Sequence, residues 1–99
     1  MQTIKNAVVV TRHVGLVDYL KSQKIIDDTA IIIEHATPEN VTNKHVVGVL
    51  PHSLSCLTDS FTEVPLHIPA ELRGAELTAE QMAQYAKPPV TYKVSKING

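Results

Sequence analysis

Thr11, Arg12 and His13 form a short polar turn directly after an apolar run, and their side chains are suited to binding a phosphate group. The guanidinium of Arg12 can pair bidentately with phosphate oxygens, and Thr11 adds a neutral donor. The three valines at 8–10 predict a strand that is covered on both faces. Gly15 and the apolar stripe after it predict a permissive turn and then a helix. Unpaired backbone N–H groups at the start of a helix favour anions, so we expect an anion site at this junction.

A second polar segment, made of Pro51, His52 and Ser53, follows another apolar run at residues 45–50. Ligands of open α/β sheets lie outside the carboxyl ends of the strands, at the point where the strand order reverses. We therefore expect this segment to form a second wall of the site. Pro51 fits the first turn of a helix, and Ser53 supplies a further neutral donor. The alternative for this segment is an ordinary helix start, and for residues 11–13 it is a solvated capping turn.

The elements that must position these side chains alternate between apolar runs and amphipathic segments, which is typical of a mostly parallel sheet flanked by helices. The predicted strands are Ile4–Val10, Thr29–Glu34, His45–Leu50, Glu63–Ile68 and Thr91–Ile97. The predicted helices are Val14–Gln23, His52–Ser60 and a third that opens with the capping-box pattern Thr78–Gln81 and ends before Pro88. The segment at 37–44 is predicted to be a surface loop, and the segment at 69–77 a loop or short turn. The sequence thus predicts one small α/β domain over residues 1–99.

The overall composition limits the classes of partner. The 99 residues carry nine basic and ten acidic side chains, a formal charge of −1, which argues against a protein that coats long nucleic acid. A small charged ligand needs only a local pocket and stays possible. Cys56 stands alone, which excludes an internal disulfide or a thiolate zinc cluster and favours a reducing, cytoplasmic compartment. No apolar run approaches the roughly 20 residues that span a bilayer, and no signal peptide is recognisable, so we expect no membrane association.

Three segments together resemble the small CRISPR-associated accessory family called Csx-sixteen. They are Thr11–Gly15 with the strand before it, Val47–Pro51, and above all Pro69–Leu77. The resemblance extends from about Ala7 to Val94, and the segments occur in the family's order and spacing. It implies a Rossmann-like domain related to the CARF sensor domains for cyclic oligoadenylate, and a homodimer that accompanies type III CRISPR systems. It further implies ring-nuclease activity, which degrades the second messenger cyclic tetra-adenylate.

Under this resemblance the ribose 2′-hydroxyl attacks the neighbouring phosphorus, so we expect cleavage to need neither a metal nor a cofactor. Arg12 is then expected to stabilise the phosphorane charge. His13 is the leading candidate for proton transfer, because an imidazole titrates near neutrality, and His52 is the second. For Arg73 and Glu76 the alternative to ligand contact is an ion pair that orders their loop. The expected ligand-binding residues are Thr11, Arg12, Gly15, Pro51, Ser53, Arg73 and Glu76.

Two other functions stay open at the level of sequence. The same domain could bind and sequester cyclic oligoadenylate without cleaving it, or it could be an interaction protein for another CRISPR component. Cleavage in the presence of EDTA separates a ring nuclease from a sequestering module. A dimer with no affinity for any cyclic oligoadenylate would favour the interaction protein. The histidines at 35, 45 and 67 lack metal-ligand spacing and are expected to be packed or surface residues.

Overall fold

A computed structural model describes residues 3–99 of the chain, and in that range strands alternate with helices. The strands are β1 (Val8–Val10), β2 (Ile31–Ile33), β3 (His45–Gly48), β4 (Ser60–Glu63) and β5 (Val90–Tyr92). The helices are α1 (Val14–Ser22), α2 (Pro38–Val41), α3 (His52–Ser55) and α4 (Ala79–Tyr85), and a single 3₁₀ turn covers Ala70–Leu72. In residues 3–99 no helix is long and apolar enough to cross a bilayer.

The strands form one sheet in the order β2-β1-β3-β4-β5. β1 pairs in parallel with both β2 and β3, β3 pairs in parallel with β4, and β5 runs antiparallel to β4. The expected α/β class with a mostly parallel sheet flanked by helices is therefore confirmed. Because the chain moves from β1 to one side and then returns to the other side at β3, the strand order reverses between these two strands. In folds of this type that reversal opens a crevice at the carboxyl ends of the strands.

Strand β1, which lies between β2 and β3, is buried on both faces, as its three valines predict. On one face, Val9 packs with Val47 and with Leu20 of α1. On the other face lies a second cluster, to which α2 and α3 contribute Val41 and Leu54. Helix α4 lies beside α1, and the buried side chains of Tyr19, Leu77 and Met82 form a third cluster there. The core therefore has two layers around the sheet, with α1 and α4 on one side and α2 and α3 on the other.

The second predicted helix, His52–Ser60, is too long, and the strand predicted at Glu63–Ile68 lies earlier in the chain, at Ser60–Glu63. Helix α3 ends at Ser55, where the Thr58 hydroxyl bonds to the Ser55 carbonyl at 2.7 Å and closes the turn. The chain then enters β4, which begins at the last residue of the predicted helix, and Phe61 is buried in the sheet. β4 ends at Glu63 because Pro65 has no N–H to donate to a ladder, and farther on Leu66 makes only an isolated bridge with Ala86.

The other differences lie at the ends of elements and in one loop. The expected loop at 37–44 contains α2, which Thr37 and Asn40 close with a capping box. The first strand begins at Val8 instead of Ile4, which is joined to the sheet region only by a bridge with Ile26. β2 and β5 are also shorter than predicted, and β5 ends at Tyr92. The third helix begins as predicted, with Thr78 and Gln81 in a capping box.

Candidate functional site

A cleft of about 320 Å³ opens at the carboxyl ends of β1 and β3, where the strand order reverses. Four polar residues contribute to its lining, namely Thr11, Arg12, His13 and Glu34. Its volume falls at the lower end of the range that ligand pockets occupy, which is about 300–1,000 Å³. Most of its other lining is apolar. It comes from α1 (Leu16), β3 (Val47), the segment after β4 (Val64 and Leu66) and α4 (Met82).

Gly48 sets the distance between the two strands that border the cleft. Its φ angle is +135°, and a Cβ at this position would lie 2.2 Å from the carbonyl oxygen of Val10. A side chain here is excluded on both counts, because the backbone conformation favours glycine and the space is already occupied. The next residue, Val49, projects into solvent at the cleft border, with 77% of its surface exposed. The second wall of the site is thus made by Gly48 and Val49.

Thr11 builds the turn that leads from β1 into α1. Its backbone N–H donates to the carbonyl of Ile33 at 3.0 Å, which extends the pairing of β1 with β2 by one residue. Its hydroxyl accepts the backbone N–H of His13 at 3.1 Å. His13 then stands at the N-cap of α1 with an extended backbone and makes no side-chain cap of its own. The imidazole is therefore directed away from the helix backbone and is available for other contacts.

The His13 imidazole contacts the carboxylate of Glu76. Its Nδ1 lies 3.3 Å from each of the two carboxylate oxygens, and both side chains are more than half exposed. A ring that donates Nδ1–H to a carboxylate keeps its Nε2 atom for proton exchange, and the carboxylate orients the ring. The pair thus combines an imidazole that can exchange a proton with a carboxylate that orients it, which is an arrangement suited to proton transfer. Glu76, which sequence reasoning placed among ligand contacts or in an ion pair with Arg73, is instead the partner of His13.

The Arg12 side chain contacts the ring of His35, the second residue after β2. Its Nη2 atom lies 3.3 Å from both ring nitrogens, an arrangement in which one N–H cannot point at both. A guanidinium carries five N–H donors, so this contact leaves most of them for another acceptor. The pairing fixes the arginine between the ends of β1 and β2, on the border of the cleft. The positive charge is then held where a phosphate could be bound.

Gly15 does not lie in the turn, where the sequence places it, but is buried inside α1. A Cβ at Gly15 would lie 1.9 Å from the carbonyl oxygen of Leu77, which is far closer than any side chain tolerates. The missing side chain therefore allows α1 to approach the segment before α4. Because Glu76 directly precedes Leu77, this approach also brings the carboxylate to His13. The structure gives Gly15 a packing role next to the site.

The segment Pro51–Ser53 is not brought together with Arg12 and His13. His52 and Ser53 line a separate groove of about 550 Å³, together with Cys56 and Lys96. The physical reason is that β3 ends at Gly48, and the chain then crosses to the face of the sheet where Leu54 packs. Pro51 is the exposed N-cap of α3. The expectation that these residues form the second wall is therefore wrong, and Gly48 and Val49 take that place.

Arg73 is exposed at the end of the 3₁₀ turn and contributes no side chain to the cleft lining. Within residues 3–99 it forms no ion pair, so the loop-ordering pair with Glu76 is absent from that range. The residue that sequence reasoning missed is Glu34, which follows β2 and lines the cleft beside Arg12. Its position gave a signal, because it follows the strand next to β1, and parallel strands end at the same edge of the sheet.

Comparison with known proteins yields one match. A family model described as "Putative CRISPR-associated protein (Cas_VVA1548)" matches residues 8–95. No curated protein and no solved structure matches the chain. The matched region begins with β1 and extends beyond β5, so it contains every residue of the cleft described above.

Proposed function

The chain belongs to the CRISPR-associated family Cas_VVA1548, and on this premise we propose that it is a ring nuclease for cyclic tetra-adenylate. In this proposal the protein converts the cyclic second messenger to linear di-adenylate and so switches off type III CRISPR signalling. The observation that carries the proposal is the meeting of Arg12 with the His13–Glu76 pair at one cleft. A phosphate-binding cation and a proton-transfer group are the two functions that cleavage by a ribose hydroxyl requires of a protein.

The shape of the cleft supports one nucleotide unit per subunit. An apolar floor suits a purine base, and the Arg12 guanidinium on the border suits the attached phosphate. A volume of about 320 Å³ is small for a ring of four nucleotides. We therefore propose that two copies of the chain bind one ring. A twofold axis would present the same cleft residues to opposite sides of a ligand that is itself symmetric.

The proposed reaction uses the substrate's own nucleophile. The ribose 2′-hydroxyl attacks the adjacent phosphorus, the bond to the 5′-oxygen breaks, and the product ends carry a 2′,3′-cyclic phosphate and a 5′-hydroxyl. Arg12 stabilises the additional negative charge on the phosphorane oxygens. His13 moves a proton in this step, and Glu76 holds its ring in the orientation and tautomer that the step needs. General acid–base catalysis of this kind typically contributes about 10²–10⁴-fold to the rate.

The test is incubation of the purified protein with cyclic tetra-adenylate in the presence of EDTA, with products separated by chromatography and identified by mass. Linear di-adenylate is the expected product. Arg12→Ala should weaken ligand binding, whereas His13→Ala should lower the cleavage rate about 10²-fold or more with little change in affinity. His67→Ala is the matched control, because His67 is an exposed histidine outside the cleft.

Two results would contradict the proposal in different ways. A stable complex with intact ring would identify a sequestering module and remove the enzymatic step. No affinity for cyclic oligoadenylates of any ring size would remove both steps and favour an interaction protein. Equal cleavage rates for wild type and His13→Ala would leave the activity in place but exclude the proton-transfer role of His13.

A further inference from the structure

Glu34 contributes a carboxylate to the cleft lining, and neither the proposed binding of phosphate nor the His13–Glu76 pair accounts for it. It directly follows β2, whose last residue Ile33 is in register with Val10 of β1. Neighbouring strands lie about 4.8 Å apart, so the Glu34 backbone is next to that of Thr11. The side chain lines the same cleft as Arg12 and His13. It can therefore reach a nucleotide whose phosphate is bound by Arg12.

The two basic side chains that line the cleft with Glu34 contact other residues. Arg12 leans on His35, and His13 is engaged by Glu76. Among residues 3–99 no ion pair or side-chain hydrogen bond involves the Glu34 carboxylate. A bare carboxylate beside a phosphate site costs binding energy through like-charge repulsion, unless the ligand offers it a hydrogen-bond donor. An ionised carboxylate only accepts hydrogen bonds, so the ligand group that it faces must carry a proton.

The proton-bearing group nearest to a 3′-phosphate in an adenylate ring is the ribose 2′-hydroxyl, since every 3′-oxygen is esterified. We propose that Glu34 is the general base that removes the 2′-hydroxyl proton, and that His13 is the general acid. This inference rests on the proposed ring-nuclease function. The 2′-oxygen forms its bond to phosphorus as its proton passes to Glu34. The bond from phosphorus to the 5′-oxygen breaks, and that oxygen takes the proton of the His13 ring. Exchange with solvent then restores both groups.

The contacts of the two groups decide which is the acid and which is the base. His13 contacts the Glu76 carboxylate through Nδ1, which leaves Nε2 as the ring atom that can pass a proton to the leaving 5′-oxygen. Among residues 3–99 the Glu34 carboxylate makes no ion pair or side-chain hydrogen bond, and its ionised form can accept a proton but has none to donate. The two groups also enter the cleft from different elements, the end of β2 and the start of α1. An acid and a base that act on opposite ends of one phosphodiester must be separated in this way.

The experiment compares two variants on two substrates. Glu34→Gln keeps the size and the acceptor oxygen of the side chain but cannot take a proton, and His13→Ala removes the acid. The substrates are cyclic tetra-adenylate and an analogue with sulfur in place of the bridging 5′-oxygen. A thiolate is a much weaker base than an alkoxide, so its departure does not require a proton donor. Glu39→Gln is the matched control, because Glu39 lies on α2 at the other face of the sheet.

Glu34→Gln should cleave both substrates about 10²–10⁴-fold more slowly than wild type. His13→Ala should be slow on the oxygen substrate and within a few-fold of wild type on the sulfur analogue. The control variant should cleave both substrates at the wild-type rate. The opposite pattern, with sulfur rescuing Glu34→Gln, would reverse the two assignments and overturn the inference. A wild-type rate for Glu34→Gln on the oxygen substrate would overturn the inference alone, whereas no cleavage by wild type would overturn the ring-nuclease function with it.

Discussion

Replacing Gly15 by alanine should both destabilise the protein and separate the two members of the His13–Glu76 pair. The new Cβ would lie 1.9 Å from the Leu77 carbonyl oxygen, and such contacts are essentially never shorter than 3.0 Å, so the backbones must move apart by about 1.1 Å. No rotamer change can relieve this contact, because the atom that it meets belongs to the backbone. Overpacking of this kind costs about 1–3 kcal/mol. Because the clash is with backbone and no rotamer relieves it, we take the upper end of this range, about 3 kcal/mol. Alanine regains up to about 1 kcal/mol of helix propensity, so we expect a net loss near 2 kcal/mol.

The same displacement reaches the candidate site. Glu76 is bonded to Leu77, so a shift of about 1.1 Å would lengthen the His13–Glu76 contact from 3.3 Å toward about 4.4 Å. An ion pair requires a separation of about 4 Å or less, so the carboxylate would lose its hold on the ring. A misplacement of about 1 Å in a catalytic group can cost about 10²-fold in rate. Cleavage of cyclic tetra-adenylate should therefore fall by about that factor, at temperatures where the variant is fully folded.

The free energy of unfolding is measured by urea denaturation and Tm by thermal denaturation, both followed by far-ultraviolet circular dichroism. A loss of about 2 kcal/mol corresponds to a fall of about 8–16 °C in Tm. Ile26→Val is the control, since Ile26 is buried at the opposite end of the sheet and its truncation costs about 0.5–1.5 kcal/mol. The control should lose stability but keep its cleavage rate. An unfolding free energy for Gly15→Ala within about 0.5 kcal/mol of wild type would refute the close approach of α1 to Leu77. A destabilised variant with full activity would refute the link from that approach to the site.

Three further predictions concern single positions. In calorimetry, Arg12→Lys should bind a non-cleavable cyclic tetra-adenylate analogue about 10-fold more weakly than wild type but more tightly than Arg12→Ala. The reason is that lysine keeps the positive charge but loses the bidentate geometry. Equal affinity for all three proteins would exclude a contact between residue 12 and the phosphate. Gly48→Ala should lower the free energy of unfolding by about 1–3 kcal/mol, because the new Cβ collides with the Val10 backbone. Gly74→Ala should cost less, because Gly74 has a positive φ but open space around it. If urea denaturation showed a larger loss for Gly74→Ala than for Gly48→Ala, the close packing of β1 against β3 would be contradicted. The pKa of Asp27 is held below its usual value by hydrogen bonds from Thr29, chiefly from its hydroxyl, so Asp27 stabilises the fold above the unfolded pKa and loses this effect as pH falls through the folded one. Asp27→Asn should therefore be less stable than wild type at neutral pH and converge with it below about pH 4, and a gap that stays constant with pH would show that the charge does not contribute.

Elements with a strong local signal could be predicted from the sequence. Three consecutive valines in β1 place apolar side chains on both faces of the strand, so the strand must be buried on both faces. Residues Val14–Ser22 carry the apolar stripe of a helix. The capping box at Thr78 satisfies backbone donors with side chains only three residues away, so it too is a local property. The position of Arg12 and His13 after β1 follows from the same reasoning, because chain order alone puts them at the carboxyl end of a strand.

The partners of these side chains could not be predicted in the same way. Glu76 contacts His13 across 63 positions of sequence, and no local rule connects them. Phe61 has the same apolar character in a helix and in a strand, and only its pairing between β3 and β5 decides that it belongs to β4. The sequence also could not predict which residues form the second wall of the cleft. This depends on where β3 ends, at Gly48, and on the path of the chain from there to the other face of the sheet.

The sequence by itself determined the α/β class, the place of the polar turn after β1 and the candidate roles of Arg12 and His13, because periodicity, turn chemistry and strand ends depend on neighbouring residues. Only the tertiary structure decided which side chains share the cleft. It brought Glu34 and Glu76 into the region of His13, placed His52 and Ser53 in another groove, and turned Gly15 from a turn residue into a point of close packing. The physical reason is that contacts between distant segments depend on strand order and on how closely backbones approach, and neither is encoded in any short stretch of chain.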